Sequence, residues 1–307
     1  MPSRDWVTRR TWFKLLGGTV AGAASAGPPT GLPKAVDELV RLPQDRLEIG
    51  RAALVLARQV YPRVDVVDLV GLLKSYAGRV NLYLSSRPDP EAQIRALNTV
   101  LFREEGYRYD RRPFARSLES HNFLSGILEA KTGICMSLPL LYISVAQYAG
   151  IPVFSVTAPD HAFARHGSPE ASFPNIECTS GGKYFPNAHY IRHFVVSEKG
   201  MESGAYMRSL SMREYLGDLL HVNAGSCFSR GRSQDGLNYL FAAIELNPRN
   251  APAHRDMAEV LDRFSKSPGE DSKLLMEQAA HYRSRSEALG YVPPEKVFEA
   301  RKIRGIE

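Results

Sequence analysis

The sequence has few of the features that mark disulfide-stapled or nucleic-acid-binding proteins. It contains three cysteines and two tryptophans among 307 residues, and an odd cysteine count does not suggest a disulfide framework. The net charge is only +6, and residues 1–26 contribute half of it. No basic block with interleaved aromatic residues appears in the sequence. We therefore set nucleic acid aside as a partner.

The chain also lacks a recognisable metal-ligand spacing. Cys178 with His189 or His193 does not form a zinc-binding pattern, so we expect neither a metal nor another cofactor. A disulfide between Cys178 and Cys227 would leave Cys135 free in an oxidising compartment, but the spacing alone does not show that pairing. With 44% apolar and 23% charged residues, the composition is that of an ordinary globular protein.

The amino-terminal segment is expected to be a targeting signal rather than part of the folded domain. Residues 1–26 contain Arg9 and Arg10, then a modest apolar stretch, then small residues at the end. That stretch is shorter than the roughly 20 residues of a membrane-spanning helix. The segment resembles the twin-arginine export signal, so we expect an exported protein without a stable membrane anchor; the alternative is a basic amphipathic arm. Residues 27–45 are expected to be linker.

Helical periodicity dominates the next hundred residues. Apolar residues at helical spacing predict helices over 46–61, 64–84, 90–107 and 117–133, with Asp65 as a plausible N-cap. A fifth helix is predicted within residues 131–152. Because this segment is apolar on all sides, we expect other elements to enclose it.

The pattern changes to strands after Pro152. "VFSVTAP" and "HAFAR" are rich in β-branched and aromatic residues, and "NIECTSGG" has the pattern of a short strand that runs into a glycine turn. A single loop joins the second and third of these segments. They are therefore predicted to form an antiparallel pair.

The sequence is helical again from about Tyr215. Residues 223–254 resemble a tetratricopeptide repeat, with small residues where paired helices approach and Pro248 at the end of the unit. A second, degenerate unit is predicted from Ala251. Because about two such units are fewer than a free-standing array needs, we expect them to pack against the preceding domain.

Cys135 raises the question of catalysis, because it lies at the head of the apolar helix. A helix amino terminus carries partial positive charge and lowers the pKa of a nearby thiol. The alternative is that Cys135 is a small core residue. A catalytic thiol also needs a base within hydrogen-bonding reach and a group that orients the base.

His161 is the candidate base among the eight histidines, because it opens a predicted strand directly after a Pro-Asp turn. The two-residue period of a strand puts Asn175 and Glu177 on one face of the next strand. If the two strands are antiparallel, Glu177 can meet the imidazole, whereas Asp160 points away from it. The alternative is a polar histidine at a strand end.

The order of Cys135, His161 and an acid resembles the transglutaminase-like superfamily. "GIC" before a helix that ends in "AGIP" is similar to the family's cysteine region, and "DHAFAR" is similar to its histidine region. "IECT" stands where many members have Asp-Pro-Thr, so Glu177 replaces an aspartate. Because glutamate is one methylene longer, Asn175 is kept as an alternative orienting group.

Residues 46–290 resemble more closely the SirB-type branch of that superfamily, which joins such a core to tetratricopeptide repeats. The resemblance implies an α+β fold, with a papain/transglutaminase-like core over residues 46–210 and repeats over 211–307. In such a core, helices precede the cysteine-bearing helix, which packs on a small antiparallel sheet. Many members of this branch lack the cysteine, whereas Cys135 is present here.

The resemblance implies acyl transfer on a peptide or protein amide. Cys135 would attack the carbonyl, His161 would move the proton, and Glu177 would hold the ring. Water as the acceptor gives peptidase or amidase activity, and an amine gives crosslinking. The alternative is a non-catalytic scaffold whose repeats bind a peptide or protein partner.

Overall fold

The structure is a computed structural model that describes residues 31–303, apart from 113–114, 116–117 and 267–271. The expected export signal over residues 1–26 lies outside the described residues. Within the described ranges, no helix combines the length and hydrophobicity needed to cross a bilayer.

Six helices are described in the first half of the chain, and most follow the predicted periodicity. They are α1 (Lys34–Arg41), α2 (Ile49–Val60), α3 (Val66–Leu82), α4 (Pro90–Asn98), α5 (Leu124–Ala130) and α6 (Ser137–Tyr148). The predicted cap at Asp65 is confirmed, because its carboxylate accepts hydrogen bonds from the amides of Val67 and Asp68. A π-helical segment, Thr99–Glu104, continues α4.

Residues 34–41 correct the expectation of a linker over residues 27–45. They form α1, in which Val36 and Leu39 are buried. The guanidinium of Arg213 donates to the carbonyls of Val40 and Leu42 and ties the end of α1 to the second half of the chain. The neighbouring prolines and glycines concealed this short amphipathic pattern.

The predicted strands form one antiparallel sheet in the order β3-β4-β5. The strands are β3 (Val153–Ala158), β4 (His161–His166) and β5 (Asn175–Ile176). In β4 and β5, Ala164 pairs with Ile176 and Arg165 with Asn175. A parallel pair, β1 (Arg108–Tyr109) with β2 (Thr132–Gly133), was not predicted, because two residues are too few to show alternation.

Helices make up the described part of the chain after the sheet. They are α7 (Asn187–His193), α8 (Glu198–Glu202), α9 (Met212–Ser229), α10 (Ser233–Leu246), α11 (Ala251–Ser265), α12 (Ser272–Ala288) and α13 (Pro294–Ile303). The helix α9 packs along α10, and α11 packs along α12. This half of the molecule therefore contains two helical hairpins.

A continuous apolar core joins the hairpins to the first half of the chain. It includes buried side chains of α2, α6 and α9, and both α6 and α9 pack on α2. Between buried groups, the amide of Asn223 in α9 donates to the carbonyl of Leu56 in α2 at 3.0 Å. The apolar face of α6 is enclosed, as its sequence predicted.

Candidate active site

The backbone turn that precedes α6 positions Cys135. The amides of Ser137 and Leu138 donate to the carbonyl of Ile134 at 3.2 and 3.0 Å, so a helical turn closes around Cys135. The hydroxyl of Ser137 accepts from the amide of Ile134 at 3.1 Å. The cysteine therefore lies two residues before the first residue of α6, and its side chain is only 4% exposed.

The hairpin between β3 and β4 brings His161 to that thiol. Asp160 has φ of 55°, a left-handed conformation that suits the tight turn. The Sγ atom of Cys135 lies 4.0 Å from the carbonyl oxygen of Asp160, and the thiol also interacts with the ring of His161. The turn thus places the imidazole, the first side chain of β4, beside the cysteine.

Glu177 meets the ring of His161, as the strand pattern predicted. The Nε2 atom of His161 lies 2.8 Å from Oε2 of Glu177, and both side chains are buried. The other oxygen, Oε1, accepts from the amide and the hydroxyl of Thr179 at 3.0 and 2.6 Å. Glu177 therefore caps the short 3-10 helix Cys178–Ser180 while it holds the imidazole.

The electrostatics of this cluster favour a protonated imidazole and an ionised Glu177. Burial opposes the charge on His161, but hydrogen bonds with Cys135 and Glu177 outweigh it and raise the pKa of His161 to about 9. Burial also opposes the charge of Glu177, yet its bonds with His161 and Thr179 lower its pKa. At neutral pH the ring is therefore a cation bonded to the carboxylate of Glu177.

The alternative orienting group, Asn175, is occupied elsewhere. Its Oδ1 accepts from Nε of Arg165 at 2.7 Å, and its Nδ2 donates to the carbonyl of Phe185 and to Oδ1 of Asn187. The register explains this, because Asn175 pairs with Arg165 in the sheet. The sequence interpretation of Asn175 as a group that orients His161 is corrected accordingly.

Aromatic side chains pack beside the imidazole of His161. The sequence did not predict this aromatic wall. The ring of Phe194 stacks on that of His161, with centroids 4.1 Å apart and planes at 6°. Tyr190 stacks in the same way on Phe163, at 3.7 Å. The sequence feature that could have revealed it is the i, i+4 spacing of Tyr190 and Phe194 in "NAHYIRHF", which puts both rings on one face of a helix. No helix was predicted for this segment.

The other two cysteines are structural. Cys135, Cys178 and Cys227 are all buried free thiols, so the Cys178–Cys227 disulfide considered from the sequence is not formed. Burial raises the pKa of Cys178 well above its usual value and also raises that of Cys227. Across the described residues, no three His, Cys, Asp or Glu side chains are grouped to hold a metal.

A cleft of about 670 Å³ opens beside the site, between the sheet and the helical hairpins. One wall contains Met136, which follows the cysteine, together with Asp160 and His161. The opposite wall is formed by residues of α9 and α11 and by the loop before α11. This volume lies in the range of ligand-binding pockets, about 300 to 1,000 Å³.

Comparison with known proteins gives a match for the middle of the chain. Residues 68–218 match the model of the transglutaminase-like superfamily, and this span contains Cys135, His161 and Glu177. The chain is also 26% identical over 129 residues to the UPF0162 proteins of Xylella fastidiosa strains Temecula1 and 9a5c. The match covers 42% of this chain and 45% of each relative, so it spans less than half the length of these curated relatives.

Proposed function

We propose that the protein is a thiol-dependent acyl-transfer enzyme that acts on peptide or protein amides, since residues 68–218 match the model of the transglutaminase-like superfamily. The observation that carries the proposal is the buried cluster of Cys135, His161 and Glu177, of which His161 lines the cleft. It supplies a nucleophile, a proton carrier and a group that orients the carrier.

The proposed reaction uses Cys135 as the nucleophile and His161 as the proton carrier. The thiolate of Cys135 attacks the amide carbonyl, and the imidazolium of His161 gives its proton to the departing nitrogen, so that a thioester forms and an amine leaves. The neutral ring then takes a proton from water or from an acceptor amine as that group attacks the thioester. Water yields peptidase or amidase activity, and an amine yields a new amide.

Stabilisation of the oxyanion is assigned to the turn that holds Cys135. The amide of Ile134 is already bonded to Ser137, and those of Ser137 and Leu138 are bonded to Ile134. The amide of Met136, at the positive end of α6, is therefore the candidate donor.

The helical hairpins belong to the same proposal. The pairs α9–α10 and α11–α12 are taken as tetratricopeptide-like repeats, which would place the chain in the SirB-type branch. Their wall of the cleft would then hold a peptide or protein partner beside Cys135. The proposal also includes export to an extracytoplasmic compartment, on the strength of the paired arginines in residues 1–26.

A non-catalytic scaffold is the second candidate, and the burial of the thiol favours it. Cys135 is only 4% exposed, as expected of a core residue. In that case the cleft would bind a partner without reacting with it.

Alkylation by iodoacetamide as a function of pH separates the two candidates. Each thiol of the folded protein is followed by mass spectrometry, with the structural Cys178 and Cys227 as internal references. We expect Cys135 to react fastest and to keep its rate down to about pH 6, because the imidazolium stabilises its thiolate. A Cys135 rate that rises only near the ordinary thiol pKa of about 8.5 would establish the scaffold.

A further inference from the structure

The cleft beside the catalytic cluster is acidic, although the protein as a whole is basic. Carboxylates line it at Glu119, Asp160, Asp218 and Asp256, and none of the described residues in its lining is a lysine or an arginine. The chain carries a net charge of +6. The local charge is therefore opposite in sign to that of the whole molecule and favours a cationic ligand.

Two of these carboxylates already have cationic or imidazole partners. Glu119 forms an ion pair with Arg230, and Asp256 lies 2.7 Å from Nε2 of His221. Asp160 belongs to the hairpin turn at Cys135. The fourth carboxylate, Asp218, lies on the wall of the cleft formed by α9.

Asp218 is buried but has one oxygen left for a ligand. The side chain is 7% exposed, and its Oδ1 accepts from the amides of Asn247 and Asn250 at 2.7 and 2.8 Å. Within the described residues Oδ2 has no hydrogen-bond partner, and the residue lines the cleft. The two asparagines thus fix the carboxylate with its second oxygen available to the cleft.

The environment of Asp218 leaves it charged but poorly compensated. Burial raises the pKa of Asp218 to about 6, against the opposing hydrogen bonds of Asn247 and Asn250 and the nearby His221. The carboxylate is therefore ionised at neutral pH, although neutral amides are its direct partners. A buried charge of this kind gains most from a hydrogen-bonded cation.

We propose that the cleft binds the primary ammonium group of a peptide, either its amino terminus or a lysine side chain, through Oδ2 of Asp218. The proposal rests on the proposed function, in which the peptide amide lies at Cys135, and it adds the substrate class. Both Asp218 and His161 line the cleft, and its volume of about 670 Å³ is sufficient for a short segment of peptide.

Calorimetric titration of the full-length Cys135→Ala protein tests the proposal without turnover. The probes are Ala-Ala-Ala amide and its N-acetyl form, and N-acetyl Ala-Lys-Ala amide with the analogue in which norleucine replaces lysine. We expect at least one charged peptide to bind about tenfold or more tightly than its neutral counterpart, because a hydrogen bond to a charged group is lost in the latter. The pair that shows the preference identifies the source of the ammonium group.

The substitution Asp218→Asn, made in the same protein, is the matched test. Asparagine keeps an oxygen for Asn247 and Asn250 but removes the charge, so the preference for charged peptides should disappear. The control is Asp256→Asn, which should retain most of it. Equal affinities for charged and neutral peptides, an unchanged preference in Asp218→Asn, or no binding of any probe would overturn the proposal.

The pH dependence of the melting temperature gives a second readout for Asp218→Asn. A raised carboxyl pKa means that the folded state binds the proton more tightly than the unfolded chain, so stability declines as pH rises from about 4 to about 6. His221, Glu214 and Tyr215 also face this carboxyl. We expect the melting temperature of Asp218→Asn to exceed that of the parent protein above pH 6. If Asp218 had only a structural role, the melting temperature of the variant would instead be lower.

The outcomes distinguish this proposal from the proposed function. If charged peptides bind through Asp218 while Cys135 resists alkylation, the ammonium-binding subsite is supported and the proposed enzymatic activity is contradicted. If Cys135 is reactive but the charge of the peptide has no effect on binding, the proposed enzymatic activity is supported and the ammonium-binding subsite is contradicted.

Discussion

At the scale of single residues, each carboxylate oxygen of Glu177 bonds a different residue. One oxygen is held by Thr179 and the other by His161, so the carboxylate cannot rotate without losing a bond to one of them. This arrangement compensates for the extra methylene that separates glutamate from aspartate. The side chain reaches the ring because the following 3-10 helix anchors it.

The substitution Glu177→Gln is expected to slow alkylation of Cys135 about fivefold near pH 9, where about half of the parent His161 is still protonated, and only slightly at pH 7. Glutamine keeps the shape but removes the negative charge, so the pKa of His161 should fall by about one unit, which corresponds to a tenfold change in equilibrium. Less imidazolium then accompanies the thiolate. The measurement is the iodoacetamide rate constant of Cys135 between about pH 6 and 9.

Two further variants serve as controls for Glu177→Gln. Glu119→Gln removes a carboxylate that lines the cleft and should leave the rate of Cys135 unchanged. Asn175→Ala should lower the melting temperature, because the partner of Arg165 is lost, without slowing alkylation. A normal rate in Glu177→Gln together with a slow rate in Asn175→Ala would reverse the two assignments.

At the scale of secondary-structure elements, the close approach of α9 and α10 depends on one glycine, Gly217. A Cβ atom at Gly217 would lie 2.9 Å from the carbonyl oxygen of Ala243 and 3.0 Å from the amide nitrogen of Asn247. Both atoms belong to the backbone, so neither can move aside cheaply. Gly225, in the same helix, has nothing within 4 Å of the corresponding position.

We expect Gly217→Ala and Gly225→Ala to change stability in opposite directions. Overpacking against a backbone should lower the free energy of unfolding of Gly217→Ala by about 1 to 3 kcal/mol. Gly225→Ala should raise it by up to about 1 kcal/mol, because alanine favours the helix. Urea unfolding of both variants checks this, and stabilisation by Gly217→Ala would show that the hairpin is looser than described.

The sequence predicted the long elements well and the short ones poorly. Helices α2, α3 and α6 and strands β3 and β4 follow from periodicity, which needs several residues to become visible. The helix α1, the pair β1–β2 and the helix α7 are short or interrupted, and long-range contacts stabilise them. At the site, alternation placed Glu177 beside His161, whereas the stacked Phe194 depends on tertiary packing that spacing does not encode.

The apolar core makes the two halves interdependent at the scale of the whole molecule. The helix α9 contributes Leu216, Leu220 and Ala224 to the same core as the helices of the first half. The side chain of Arg230 extends the contact through its ion pair with Glu119. The cleft exists only because the hairpins are held against the domain that bears Cys135.

The chain is therefore expected to unfold in one transition. Urea unfolding curves from far-ultraviolet and near-ultraviolet circular dichroism should coincide. Asn223→Ala should shift both midpoints equally, because it removes a buried hydrogen bond between α9 and α2 that contributes about 0.5 to 1.5 kcal/mol. Rapid proteolysis between Val196 and Met212 that releases a core with unchanged melting would contradict this interdependence.

The position of α2 between α6 and α9 also sets the order in which the protein can assemble. The amide of Ile49 bonds to Gln147 across 98 residues, and the carbonyl of Leu56 bonds to Asn223 across 167. A nascent chain must therefore emerge from the ribosome almost to the end of α9 before α2 is fully covered. Contacts between residues so far apart in the sequence slow folding, and the uncovered helix is a surface on which molecular chaperones can act during synthesis.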